Sequence, residues 1–286
     1  MTSLSIITVY KNPGDDLAVT ENSVIREFGS SDAVEHVLKE WTSEAEESIT
    51  GPTGSGGGMR RLKIRGMDSG VFDGMTRALK HATGEWILFL NAGDWLAEGF
   101  ASKLSEALQD GSDKLDYLFF DGITVDCQDG REFQRRAPDE LKLADFLFRA
   151  PVLHPGLIVR RNVMQAYSFN CNLYLAADFD LMVRLVVDKK CGRHVPFLGA
   201  YAVSGGLSEQ FRLKARWQAT RSLWKYASGV GERSKVIAAF TRFLVLHTLI
   251  VGIIHRLPCI RRKLHTMRAL KNSRSKKATG PNAENL

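Results

Sequence analysis

DSGVFDGMTRALKHATGEWILFLNAGD, running from Asp68 to Asp94, sets out a helix, a break and a strand in that order. Asp68–Ala82 reads as a helix entered through a polar, Gly-containing loop. Ala82-Thr83-Gly84 interrupts it, and Glu85–Leu90 (EWILFL) is the clearest strand in the chain. The strand empties into Asn91, Gly93 and Asp94, and a further helix is expected over Leu96–Leu108. Toward the N-terminus, Ser5–Tyr10 (SIITVY) is a β-branched run typical of a buried strand. Asp15 and Asp16 then precede a helical stretch in which Leu17, Val24 and Ile25 recur at helical spacing. Val34–Leu38 and Leu62–Arg65 are two more strand candidates. Such alternation predicts an α/β domain with a largely parallel sheet and its ligand sites at the carboxyl ends of the strands.

Beyond Asp116 the texture changes. Tyr117–Val125 and Arg131–Arg136 flank a Gln128-Asp129-Gly130 turn and predict a hairpin. Leu157–Val159 is a short strand candidate. Ala176–Val187 is helical, with Phe179, Met182, Val183 and Val186 on one face. Thr50–Gly58 (TGPTGSGGG) lacks the Gly-Lys-Ser/Thr ending of a phosphate-gripping loop and reads as a flexible connection.

Composition narrows the class. The chain has 286 residues, 44% of them apolar and 25% charged, as an ordinary globular protein does. Its four cysteines (Cys127, Cys171, Cys191, Cys259) include no C-x-x-C pair, which argues against a disulfide scaffold or structural zinc. The N-terminal MTSLSIITVY has no basic segment and too short an apolar run for a signal peptide, so a cytoplasmic location is expected. The net charge of +7 is unevenly spread: 12 of the 39 Lys and Arg, but one of the 32 acids, lie from Arg233 onward. The body before it is net acidic, and no nucleic-acid reader motif is present, so no nucleic-acid partner is expected.

The acids at the strand ends carry the chemistry. Asp94 stands just past a buried strand, where a carboxylate can hold Mg²⁺ or Mn²⁺ against a diphosphate, since these hard ions take oxygen ligands. Capping of the expected helix near Leu96 explains the same residue equally well. Asp68 and Asp73 open the preceding helix, and capping accounts for only one of the two. Asp178 and Asp180 (AADFDL) begin another helix, where acids favour the macrodipole. One of that pair could instead act as general base toward a substrate hydroxyl.

Taken together, SIITVY followed by KN, the block Asp68–Asp94, HPGLIVRR (His154–Arg161), AADFDLMVRL (Ala176–Leu185) and GGLS (Gly205–Ser208) resemble the family 2 glycosyltransferases of GT-A fold. The likeness is to the branch that makes bacterial exopolysaccharides such as colanic acid, and it covers roughly residues 4–210. It implies an α/β GT-A fold, a Rossmann-like nucleotide-binding sheet with a mixed C-terminal part, and an inverting, metal-dependent transfer of a sugar from a nucleotide-sugar donor, a UDP-sugar by preference, to an acceptor hydroxyl. By the same resemblance Val9 and Tyr10 match the nucleotide-contacting loop, Asp68 an acid near the donor nucleotide, and Asp73 a neighbouring motif acid. Asp94 matches the metal-binding Asp, with Asn91 just before it, and Asp178 the acid that deprotonates the acceptor. His154 and the Gly205–Ser208 loop match elements on the acceptor and diphosphate side. The segment after the second strand departs from the family pattern: it reads Lys39-Glu40-Trp41-Thr42-Ser43-Glu44, with Glu40 standing in for the base-recognising Asp. Thr76 replaces a usual Asn, and Gly93 a frequent second Asp. These departures favour a competing reading, a catalytically silent scaffold that binds a membrane or partner.

The tail suggests a lipid surface. Val236–Ile254 is near the minimum length for a spanning helix but contains Arg242 and His247. Ile260, Leu264 and Met267 recur at helical spacing among Arg261, Arg262, Lys263, Arg268 and Lys271, the pattern of a basic helix lying on anionic lipid, with a core-covering helix followed by a solvated basic tail as the alternative. The expected organisation is a GT-A domain over 1–210, a helical membrane-associating extension over 211–271 and a disordered tail over 272–286. That layout implies a peripheral position on the inner face of the cell membrane, facing a lipid-linked glycan acceptor.

Overall fold

The computed structural model describes residues 3–51, 58–109 and 114–256. Most of the Thr50–Gly58 loop, the basic amphipathic segment around Ile260–Lys271 and the tail from Asn272 lie outside the described residues. The chain divides into two units, Met1–Val236 and Ile237–Leu286. In chain order the elements of the first are β1 (Leu4–Tyr10), α1 (Asp15–Phe28), β2 (Val34–Trp41), β3 (Ser48–Thr50) and β4 (Arg60–Gly66). Then come α2 (Val71–Leu79), β5 (Trp86–Phe89), β6 (Trp95–Leu96), α3 (Phe100–Gln109), β7 (Tyr117–Val125) and β8 (Glu132–Arg135). The last are β9 (Leu157–Arg160), α4 (Arg161–Tyr167), α5 (Ala177–Val187), β10 (Gly192–Val203), α6 (Leu207–Gln210) and α7 (Arg212–Tyr226). A long helix, α8 (Gly229–Arg256), runs from the first unit into the second. Among the described residues, no helix is long and apolar enough to cross a membrane.

Among the described residues the strands form one sheet in the order β3-β4-β2-β1-β5-β9-β7-β10-β6, with β8 on β7. Strands β4, β2, β1 and β5 are parallel, whereas β9 is antiparallel to both β5 and β7. The sheet is therefore parallel over β4-β2-β1-β5 and mixed beyond it, as a Rossmann-like half joined to a mixed C-terminal part. Parallel pairing needs a crossover of a dozen or more residues, which α1 and α2 supply in the first half. In the second half the predicted hairpin forms between β7 and β8, and a short 3₁₀ turn at His154–Gly156 leads straight into β9.

Period-two alternation builds the two cores. Leu4, Ile6, Trp86 and Leu88 face α1 and α3, where Val24, Phe28, Phe100 and Leu104 complete one cluster. Ile7, Ile87 and Phe89 face the other way, onto Met75 and Leu79 of α2 and Phe179 and Leu181 of α5. The helix expected from Leu96 starts later, at Phe100, because Trp95 and Leu96 pair antiparallel with Tyr201 and Ala200 of β10.

β2 is buried on both faces yet carries four ionisable side chains, each with a partner. Glu35 accepts from the Ser5 hydroxyl, from Thr83 Oγ1 at 3.0 Å and from the Thr83 and Gly84 amides, which binds β1, β2 and the approach to β5 together. His36 meets Thr8 Oγ1 at 2.9 Å, and its burial pushes its pKa down to about 4. Gly84 itself lies so close to β1 that an added Cβ would stand 2.5 Å from the Ser5 backbone nitrogen. The Ala-Thr-Gly break thus marks where one strand start is pressed against another. Gly84→Ala is expected to lower unfolding stability by about 1–3 kcal/mol in urea titration. Gly51→Ala, with open space at its Cβ, should stay within about 0.5 kcal/mol. Equal midpoints for the two variants would contradict this packing.

Candidate active site

A cleft of about 510 Å³ opens beside the carboxyl ends of β1 and β5. It is lined by Val9, Tyr10, Asn91, Asp94, His154 and Asp178 of the sequence-derived candidates, together with Gly206, Leu207 and Ser208 of the GGLS loop. These residues come from separate stretches, and the parallel register of β1 with β5 sets the first two groups side by side. Glu40, Asp68 and Asp73 do not line it.

Asp94 sits in a tight turn, its backbone nitrogen donating to the Asn91 carbonyl at 3.0 Å. Gly93 has φ +97°, a left-handed conformation that suits glycine. Thr20, on α1, holds the turn from outside: its hydroxyl accepts from the Gly93 amide at 3.0 Å and donates to the Asp94 carbonyl at 2.7 Å. Strand β6, not a helix, begins directly after Asp94, so a helix-capping role for this residue is excluded. Its side chain points at β10 instead, with Oδ1 accepting from the Val203 amide at 2.9 Å. Asp94 makes no ion pair among the described residues, and burial pushes its pKa up to about 7 despite that hydrogen bond.

Two further polar atoms of the cleft are buried without a hydrogen-bond partner among the described residues, Asn91 Oδ1 and His154 Nε2. Unpaired buried polar groups are uncommon and call for a ligand, ion or water. His154 stacks on Phe89 with ring centroids 5.6 Å apart and meets Phe169 edge-on. Its burial lowers its pKa while the charge of Asp178 opposes that shift, and the imidazole is held neutral.

The acid pair at the start of α5 separates cleanly. Asp180 is buried and spent on structure: Oδ2 pairs with Arg184 at 2.8 Å and Oδ1 accepts from Ser222 of α7 at 2.7 Å. Asp178 lines the cleft. Of the remaining candidates, Asp73 accepts from Ser69 N and Oγ at 2.9 Å and from Arg77, contacts that outweigh burial and hold its carboxyl below the ordinary range. Its contacts are those of a helix-start acid. Glu40 Oε2 is engaged by Lys63 at 2.9 Å and Arg65 at 3.2 Å, with the Tyr10 hydroxyl at 3.4 Å. Asp68 neighbours Lys39, a fully buried cation that donates to the Gly66 carbonyl at 2.6 Å and lies 3.5 Å from Asp68 Oδ2. Sequence reasoning missed Lys39, Thr20, Val203 and Tyr174. The one available signal was a lysine directly after the expected strand Val34–Leu38.

A divalent cation is testable against this donor set. Asp94 supplies one carboxylate oxygen beyond the one held by Val203, and Asn91 supplies an unpaired carbonyl oxygen. Among the described residues no cluster of three ligating side chains exists. Two hard oxygen donors beside an open cleft suit a cation that draws its other ligands from water and a phosphorylated ligand, as Mg²⁺ does. They fit.

The buried acid has a consequence for stability. An unfolded Asp ionises near 3.8 and the folded one near 7, so between these values the folded state keeps a proton that the unfolded state has released. Stability contributed by this group therefore falls as pH rises through that window. Asp94→Asn, which cannot ionise, should gain on the parent between pH 4 and pH 8, by on the order of 2–4 kcal/mol in EDTA. A difference that does not change with pH would contradict the burial of a charge there.

Comparison with known proteins places this geometry. No family model matches the chain. A PGL/p-HBAD biosynthesis glycosyltransferase of Mycobacterium bovis is 29% identical over 128 residues, covering 44% of this chain and 48% of the relative. The same match is found with its Mycobacterium tuberculosis counterpart, so the chain aligns with about half the length of these relatives. Among solved structures, S. aureus TarS 1-349 matches with a TM-score of 0.57 at 15% identity, over 84% of this chain and 71% of that one. The mannosyltransferase PcManGT of Pyrobaculum calidifontis, in complex with GDP-Man and Mn²⁺, matches with a TM-score of 0.54 at 12% identity, over 93% and 84%. The mixed sheet, the cleft at its carboxyl edge and these likenesses together give the chain the GT-A glycosyltransferase fold.

Proposed function

We propose that this chain transfers a sugar from a nucleoside-diphosphate-sugar donor to an acceptor hydroxyl, with inversion at the anomeric carbon. The observation that carries the reading is one cleft gathering two acids from different elements, Asp94 uncompensated and buried, Asp178 at the start of α5. A displacement of this kind has two separate charge problems, a departing diphosphate and a proton on the incoming hydroxyl, and a carboxylate can serve each. Asp94 and Asn91 would hold Mg²⁺ or Mn²⁺, which as a Lewis acid neutralises developing charge on a diphosphate. Val9 and Tyr10, at the end of β1, lie where a nucleotide would be received. Asp178 accepts the acceptor's proton as its oxygen attacks and the diphosphate leaves with the bonding electrons. His154, neutral and with Nε2 unpaired, is suited to hydrogen-bond a hydroxyl of either sugar.

Donor choice draws on the comparisons. TarS 1-349 is also known in complex with UDP-GlcNAc, with a TM-score of 0.54 at 14% identity, and PcManGT with GDP-Man. A UDP-sugar is the first donor to test here. At the nucleotide end of the site Glu40 would act through the Lys63 and Arg65 side chains it anchors and Asp68 beside Lys39, whereas Asp73 serves the start of α2. A lipid-linked glycan is the acceptor class, reached from the inner face of the cell membrane, and bacterial surface polysaccharide is the product class. The occupied state of Glu40 favours the competing reading of a silent scaffold, and sugar transfer by the parent protein, lost in Asp178→Asn, separates the two.

Asp178→Asn is expected to lower kcat by about 10²–10⁴-fold, the usual worth of a general base. Donor affinity in calorimetry should stay within about threefold, since the substitution is isosteric and leaves Asp94 and Asn91 in place. Parent turnover in that variant would remove Asp178 from the mechanism.

A further inference from the structure

Helix α7 is built inside out. Beside Ala219 and Leu223, its buried face carries Arg216, Gln218, Thr220 and Ser222, and each of these four has a partner. Gln218 Oε1 accepts from the Leu175 amide at 2.9 Å, Ser222 donates to Asp180 at 2.7 Å, Thr220 donates to the Arg216 carbonyl at 2.8 Å, and Arg216 donates to the Leu147 carbonyl. Its exposed face carries Leu213, Trp217 and Trp224, which are 47%, 57% and 41% exposed, with the Arg233 guanidinium 5.3 Å from the Trp224 ring centroid. A helix on a protein surface ordinarily places its polar and its large apolar side chains the other way round.

The residues between the exposed rings decide what covers them. Arg212, Lys214, Arg221 and Lys225 are all exposed, and no acid occurs from Arg212 to Tyr226. Trp rings among long cationic side chains suit the interface of an anionic bilayer, where indoles sit at headgroup level and Lys and Arg reach to phosphates. A second copy of the chain would set this cationic face against another of the same sign, which disfavours self-association.

The same face reaches the cleft. Leu207, which lines the cleft, is 49% exposed, and Phe211, one helical turn later, is 52% exposed. Lys214 Nζ lies 4.9 Å from the ring centroid of Tyr174, another residue of the cleft wall. Apolar surface and cations thus run from the rim of the cleft along α7.

We propose that the open face of α7, continued through Phe211 and Leu207, docks on an anionic lipid bilayer and turns the mouth of the cleft toward it. This deepens the membrane location proposed above by assigning the surface that makes the contact, and it does not depend on the transfer chemistry. The full chain carries the test, with unilamellar vesicles of phosphatidylcholine alone or with about 30% phosphatidylglycerol. Binding to the mixed vesicles should exceed binding to the neutral ones at least tenfold and weaken with salt. Trp217→Ser with Trp224→Ser, and separately Lys214→Glu with Arg221→Glu, should each reduce it at least tenfold, although the basic tail is intact in both. Thermal melting confirms that each variant is folded, and the charge-reversed pair keeps the test open should the Trp pair unfold. Brominated lipid should quench the fluorescence of the parent and not that of Trp217→Phe with Trp224→Phe, which leaves Trp41, Trp86 and Trp95 as reporters. Parent-level vesicle binding by both folded variants, or parental self-association abolished by the Trp substitutions, would overturn the proposal. UDP binding by calorimetry is read alongside: it tests the transferase reading and is expected to be the same in all these variants.

Discussion

An ionisable carboxyl, Asp94, is held out of water at the carboxyl edge of the sheet with no cation paired to it among the described residues. Burying a charge in that way is expensive unless something arrives to compensate it. The surrounding structure is arranged to keep it there. Thr20 ties the Asn91–Asp94 turn to α1, Gly93 takes the left-handed backbone that the turn demands, and Val203 anchors one carboxylate oxygen from β10. Each of these contacts costs conformational freedom. On the function proposed above, they preset an acid for a metal-bound diphosphate.

The neighbouring strand shows the opposite solution to the same problem. Lys39, Glu40 and Glu35 are as deeply buried as Asp94, but each is answered by a partner within the protein. The contrast separates structural polar groups from candidate functional ones more sharply than residue type does. Asp180 and Asp178 repeat it over two residues, the first consumed by Arg184 and Ser222, the second facing the cleft.

Much of this architecture is legible in residue patterns. β1, β5, α5 and the β7–β8 hairpin follow from β-branched runs, apolar spacing and a Gly-containing turn, because those signals are local. The illegible parts depend on distant partners. Trp95 and Leu96 resemble the start of a helix and form a strand because β10, about a hundred residues later, pairs with them. Thr20 has no motif of its own, and its role comes from a turn more than 70 residues away. The strand pattern of β2 ends at Leu38, since Lys39 and Glu40 look like the start of a loop until their partners on and beyond β4 are known. The mixed direction of the second half of the sheet likewise depends on distant partners, since β9 enters antiparallel between β5 and β7, both far from it in sequence.

The most direct test is calorimetric titration of the folded parent protein with UDP, GDP and their sugars, first with Mn²⁺ and then with EDTA. Binding of one nucleotide class that requires the metal and is lost in Asp94→Ala is the predicted result. Absence of binding to every one of them, or binding that EDTA and Asp94→Ala leave unchanged, would contradict the assignment of Asp94 to a metal-held diphosphate.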